Sequence, residues 1–243
     1  MGEAFLWGLF AGSSLIVGGV LAFALDISRR ALGLVMAFGA GVLISAVAYE
    51  LVGEAALTSA GSGGVAGGLA AGAVTFYVGD LLIARAGGGG RKSPEGAQAT
   101  GSGTAILLGI VLDGIPESFV LGASLIEPGG ASVALIAAVF LSNVPEAIAA
   151  SSGLGEAGMP RRRIMSIWIL VALASALSAL AGFALLDGAS ATVTAFVLAY
   201  AAGAIITMLA DTMMPEAFEH AGRSAGLMTT LGFALAFALT LLG

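Results

Sequence analysis

The chain has 243 residues, of which 58% are hydrophobic and only 10% charged, and its mean hydropathy is +1.05. A soluble domain is about 25% charged, so this composition excludes one and describes an integral membrane protein. The absence of cysteine excludes disulfide and thiolate chemistry, and the net charge of −6 matters less than where the charges fall.

A membrane-spanning helix needs about 20 mostly apolar residues. Eight stretches qualify, at about 4–25, 31–52, 65–86, 103–125, 131–151, 164–186, 191–213 and 225–242. The first, MGEAFLWGLF onward, lacks the basic start of a signal peptide and is kept as a span. The second closes on Glu50 and Glu54, placed either to gather cations at an entrance or as a solvated helix end. The third offers Gly68 and Gly72 for close helix packing. It carries Asp80 near its inner end, where an interfacial hydrogen bond or packing role is expected. After it comes GGGGRKSPEGAQATGSG, a flexible loop over about 87–102. Spans four and five contain LDGIPESFVLG and LSNVPEAIAAS, and span seven runs into ADTMMPEAFEH. The expectation is an all-α membrane protein with one domain over 1–243.

The basic residues test that count. Arg29 and Arg30 follow span one. Arg85, Arg91 and Lys92 follow span three, Arg161, Arg162 and Arg163 follow span five, and Arg223 follows span seven. All nine therefore lie on one side, which the positive-inside rule makes cytoplasmic, leaving both termini extracytoplasmic.

Chemistry at membrane depth is confined to spans four and five. Asp113 and Glu117 are four residues apart and share a face. Ser142, Asn143 and Glu146 repeat the layout. An ionisable group at a helix centre costs about 3 kcal/mol on insertion scales and marks a polar pathway. No Lys or Arg lies in the central part of any span, so a buried ion pair is not expected. Protonation, hydrogen bonds or a bound cation remain to stabilise the carboxylates. Pro116 cannot donate to the carbonyl of Leu112, nor Pro145 to that of Leu141. Each helix is expected to kink beside its glutamate, with the freed carbonyl lining a cavity or an ion.

Two consecutive helices with x-Pro-Glu, inside eight spans, resemble the ZIP family of divalent-metal transporters. Where the family's fourth span reads His-Asn-x-Pro-Glu-Gly, this chain has Asp113, Gly114, Ile115, Pro116, Glu117 and Ser118. Where its fifth reads His or Gln, then Asn, Asp or Glu, then x-Pro-Glu, this chain has Ser142, Asn143, Val144, Pro145 and Glu146. The resemblance implies a 3+2+3 arrangement with an inverted relation between the first and last three spans. It also implies a homodimer and inward transport by alternating access. Spans one, four, five and six would carry the site against the other four. It assigns the primary metal site to Asp113, Glu117 and Glu146 with Ser142, and a second site to Asn143 and the shared glutamates. Two further family ligands fall at Leu43 and Ser175.

The ligand set left is all oxygen, which suits harder ions better than zinc. The expected substrate is thus a divalent cation, Zn²⁺, Mn²⁺ or Fe²⁺, with no organic cofactor and no nucleic-acid partner. The expected location is the plasma or inner membrane. Asp211 would match an exit-side acid, with Glu216 also on the pathway, and His220 reads as an interfacial histidine. Two alternatives stand beside transport: a non-transporting membrane sensor or scaffold, and an intramembrane carboxylate enzyme. No HExxH and no Ser/His or Cys/His pair supports catalysis, so an enzyme is not expected.

Overall fold

A computed structural model describes residues 1–58, 62–88, 91, 103–126 and 132–241. Among them there is no strand. The helices are α1 (Gly2–Ala24), α2 (Arg29–Thr58), α3 (Gly63–Gly88), α4 (Ala105–Ser124), α5 (Val133–Glu156), α6 (Arg161–Leu186), α7 (Ala191–Ala221) and α8 (Ser224–Thr240). The first seven are long and apolar enough to cross a membrane. Helix α8 is apolar but has 17 residues, about 26 Å at 1.5 Å per residue, slightly short of the ~30 Å hydrocarbon layer. The chain is therefore built as a multi-pass membrane protein.

Local chemistry sets the helix ends. Ser28, Ser132 and Ser190 cap α2, α5 and α7, each hydroxyl accepting from the backbone N–H three residues on, which satisfies an otherwise orphaned donor. Gly158, Gly188 and Gly222 have φ of 86°, 79° and 57° at the turns α5–α6, α6–α7 and α7–α8. Only glycine adopts that conformation without strain.

Two helices run further than their apolar stretches predict. α2 has 30 residues and α7 has 31. Each is α-helical for 18 residues after its serine cap, then π-helical over Val47–Gly53 or Leu209–Met213, then helical again. Such π stretches are rare and often sit at functional sites.

α1 packs on α5 and α6, α4 on α6, α3 on α7, and α2 on α8, α5 and α7. Among the described residues, each of the more extensive helix contacts has a counterpart when α1 is exchanged with α6, α2 with α7, α3 with α8 and α4 with α5. Two of the tightest crossings obey the same exchange. A Cβ on Gly41 or Gly232 would overlap backbone across α2–α8, and one on Gly72 or Gly203 would do so across α3–α7. Gly41 and Gly203 stand at the same position relative to their serine caps. So do Glu54 and Glu216 beyond the π stretches. Small residues let backbones approach where hydrocarbon supplies no hydrophobic drive.

The outside is apolar. Leu227, Leu231 and Leu235 of α8, and Leu170, Leu173 and Leu177 of α6, form exposed stripes, large apolar patches suited to lipid. Arg29, Arg30, Arg85, Arg161, Arg162, Arg163 and Arg223 stand at or beside helix ends on one side of the bundle. The Arg161 guanidinium lies 5.2 Å from the Phe23 ring centroid, joining the end of α1 to the start of α6. The opposite end is tied by Glu50 of α2, which accepts from Ser132 before α5 at 2.7 Å and Thr240 of α8 at 2.8 Å.

The expected loop at 87–102 is only partly described. Gly87 and Gly88 close α3 as a π turn. Residues 89, 90 and 92–102 lie outside the described residues, as does Lys92. Arg91 is described, and it is buried.

Candidate cation site

α4 and α5 carry the predicted polar residues, and the structure buries all of them. Asp113, Glu117, Ser142, Asn143 and Glu146 are each less than one-tenth exposed. Both helices run unbroken through Pro116 and Pro145. Each proline therefore sits inside a continuous helix that lacks one backbone donor. The nearby carbonyl of Ile115 accepts from Ser178 of α6 at 3.0 Å.

The expectation that no basic side chain reaches these carboxylates is wrong. Arg91, 3% exposed, reaches α4 from beyond the end of α3. Its Nε donates to Asp113 Oδ2 at 2.9 Å and its Nη2 to Asp113 Oδ1 at 2.8 Å. Its Nη1 forms an ion pair with Asp80 Oδ1 at 2.7 Å. This is the bidentate fork for which guanidinium is shaped. Burial acts against the charge, but Asp113 and Asp80 outweigh it and hold the guanidinium above its ordinary range. Asp80 is thereby part of a buried charge cluster rather than a lone interfacial residue. Gly109 makes this possible. It lies one turn before Asp113 on the same face, and a Cβ there would overlap Arg91 Cδ and Nε.

Asp113, Asn143 and Glu146 line one cavity, together with Leu15, Ile110, Gly114, Ala150 and Trp168. Its volume is about 20 Å³, room for about one water-sized body. Asn143 and Glu146 are three apart on α5 and so share a face. Glu117 is buried one turn further along α4 and does not line this cavity. Ser142 is not brought to it either. Its hydroxyl donates to the Val139 carbonyl at 3.1 Å, and its backbone packs against Gly39 of α2. Among the described residues, no three His, Cys, Asp or Glu side chains converge closely enough to hold a metal ion. The predicted ligand set is therefore adjacent but not assembled in this conformation. Ser175 of α6 faces Gly114, with its hydroxyl 3.9 Å from where a Cβ would stand. Leu43 is buried among apolar side chains.

A second, larger cavity of about 460 Å³ opens at the arginine-free end. Tyr49, Glu50 and Glu54 of α2, Ser124 of α4, Ser132, Thr194 of α7 and Thr240 of α8 supply its polar lining. Glu50 takes its two hydroxyl donors here, and Glu54 accepts from Thr58 at 2.9 Å. Val120 of α4 also lines this cavity, one turn from Glu117. At the other end of the bundle Asp211 and Glu219 are exposed. Glu216 and His220 pair at 3.3 Å, with His220 packed on Gly33 of α2.

Sequence reasoning missed Arg91, Asp80 and Trp168. Trp168 Nε1 donates to Ser151 Oγ at 2.8 Å, which fixes the indole against the central cavity. The signal for Arg91 was present in Gly109. A glycine four residues before a mid-helix aspartate opens a groove on the aspartate's own face.

Set against protein-family models and curated proteins, the chain matches none.

Proposed function

We propose that this protein is a secondary transporter of divalent metal cations, Zn²⁺, Mn²⁺ or Fe²⁺, moving them toward the cytoplasm by alternating access through the carboxylates of α4 and α5. The observation that carries this reading is the burial of Glu117 and Glu146 beside mid-helix prolines. Asn143 and Glu146 face a cavity that holds one water-sized body. A carboxylate and an amide offering oxygen to so small a space suit a dehydrated hard cation better than an organic substrate.

Three further features support the reading. The packing exchanges the first three helices with the last three, as inverted repeats do in transporters that rock about a central site. The wide cavity near Glu50 lies at one end and the small cavity lies deeper, the arrangement of a path open on one side. The arginines gather at the opposite end, which the positive-inside rule makes cytoplasmic. The resemblance to the ZIP pattern supplies the direction of flux and the expectation of a homodimer. The substrate ion is cargo, and the chain's own residues receive it, strip its water and release it.

A second reading is favoured by one observation. Arg91 neutralises Asp113 where, among the described residues, no three acidic side chains converge. A ZIP-like membrane sensor or scaffold that no longer moves metal would look like this. Reconstitution separates the two. The transporter takes up at least one ion from a panel of Mn²⁺, Fe²⁺, Zn²⁺, Co²⁺ and Mg²⁺ into liposomes, and Glu117→Ala or Glu146→Ala abolishes the uptake. A scaffold takes up none.

A further inference from the structure

Arg91 contacts Asp113, one of the central carboxylates, and its geometry has consequences for the ion. Both oxygens of Asp113 are engaged by one guanidinium, and the third nitrogen is turned to Asp80. A cation approaching Asp113 must either sit within a few ångströms of a buried positive charge or displace it. Two like charges at that distance in a poorly screened interior repel strongly, and a displaced guanidinium would have to find other solvation. The cavity supports the first obstacle, since Asp113 lines the same small space as Asn143 and Glu146.

We propose that Arg91 is a specificity-determining residue of the cation site. It removes Asp113 from the ion's ligand set and sets how many carboxylates the ion meets. This rests on the reading of α4 and α5 as a cation site. With Arg91 in place, its charge offsets one of the two carboxylates Asp80 and Asp113, and Asn143 and Glu146 are the other oxygen donors lining the cavity. Without it, Asp113 joins them as a further anionic oxygen donor, the site becomes more acidic, and divalent cations bind more tightly. Arg91 thus holds the site at a strength from which an ion can leave. Asp80 is its positioning partner, turning the fork so that both remaining nitrogens face Asp113.

Gly109 supplies a test that changes no charge. A Cβ at this position overlaps the flexible Cδ and Nε of Arg91, so Gly109→Ala pushes the guanidinium aside while every ionisable group stays present. The experiment compares purified wild type, Arg91→Gln, Gly109→Ala and the double variant Arg91→Gln/Asp113→Asn, all in a Trp7→Phe background. Trp168, which lines the cavity, is then the only tryptophan, because the chain has two. Its emission and the thermal midpoint are followed as Mn²⁺ is added.

Arg91→Gln and Gly109→Ala are expected to bind Mn²⁺ at least about tenfold more tightly than wild type. The double variant is expected to lose that gain. Unchanged or weaker affinity in Arg91→Gln and Gly109→Ala overturns the proposal, as does a gain that persists in the double variant. If Arg91→Gln does not fold, Gly109→Ala decides alone. Absence of uptake by wild type would end the transport reading, while the binding comparison would still decide this one.

Discussion

The two carboxylates Glu50 and Asp113 lie in the same bundle and are satisfied in opposite ways. Glu50 accepts from two neutral hydroxyls, Ser132 and Thr240, in a cavity of about 460 Å³. Asp113 is gripped by a guanidinium beside a cavity of about 20 Å³. Hydroxyl donors stabilise an anion without cancelling its charge, so the charge of Glu50 still faces a roomy cavity. The guanidinium cancels the charge of Asp113 beside a space for only about one water-sized body. On the proposed reading, the outer cavity gathers cations and the inner one limits how tightly a single ion is held.

Removing the second inner carboxylate gives the largest expected effect. Glu146→Gln takes away the α5 carboxylate that lines the small cavity. Uptake into liposomes falls to background. Retained uptake would move the pathway away from α5.

The next effect is on stability, and it separates the two regions directly. Arg91→Met strands Asp113 without its counter-ion and is expected to cost about 3–5 kcal/mol, read as a lower thermal midpoint in detergent. Arg91→Met/Asp113→Leu recovers most of that loss, because replacing both partners by apolar groups leaves no buried charge. Glu50→Gln costs about 1 kcal/mol or less, since the amide oxygen still accepts from one hydroxyl and its NH2 donates to the other once that hydroxyl turns. Equal losses at the two sites would erase the contrast.

Glu50→Gln acts on rate instead. It lowers uptake severalfold at sub-saturating ion and low salt, and the difference shrinks as ionic strength rises, as expected for electrostatic gathering. A salt-independent loss would point to direct coordination. The smallest effect is that of Thr240→Val. It removes one of two donors to Glu50 and changes uptake by less than about twofold, because the second hydroxyl remains.

Much of this architecture can be read from the sequence, for physical reasons that also mark where reading stops. Eight apolar stretches are legible because the bilayer fixes their length and arginines bracket them. Glu117 and Glu146 are legible because a carboxylate beside proline in an apolar run is costly. The extra length of α2 and α7 is not, because the π stretches at Val47–Gly53 and Leu209–Met213 carry helix into polar sequence where a span count expects an end. The Arg91–Asp113 pair was missed because it links residues 22 apart and its arginine belongs to a stretch that composition assigns to solvent. Ser142 fits the motif by position, yet its hydroxyl turns back to Val139, a rotamer choice that spacing does not encode.

The central claim is that a divalent cation crosses the membrane through α4 and α5, and its most direct test is uptake by purified protein in sealed liposomes. Wild type, Glu117→Gln and Glu146→Gln are compared over the five-ion panel, with thermal midpoints confirming that all three are folded. The account predicts saturable uptake of at least one ion by wild type and none by either variant. No uptake by folded wild type, or uptake that both variants retain, would contradict it.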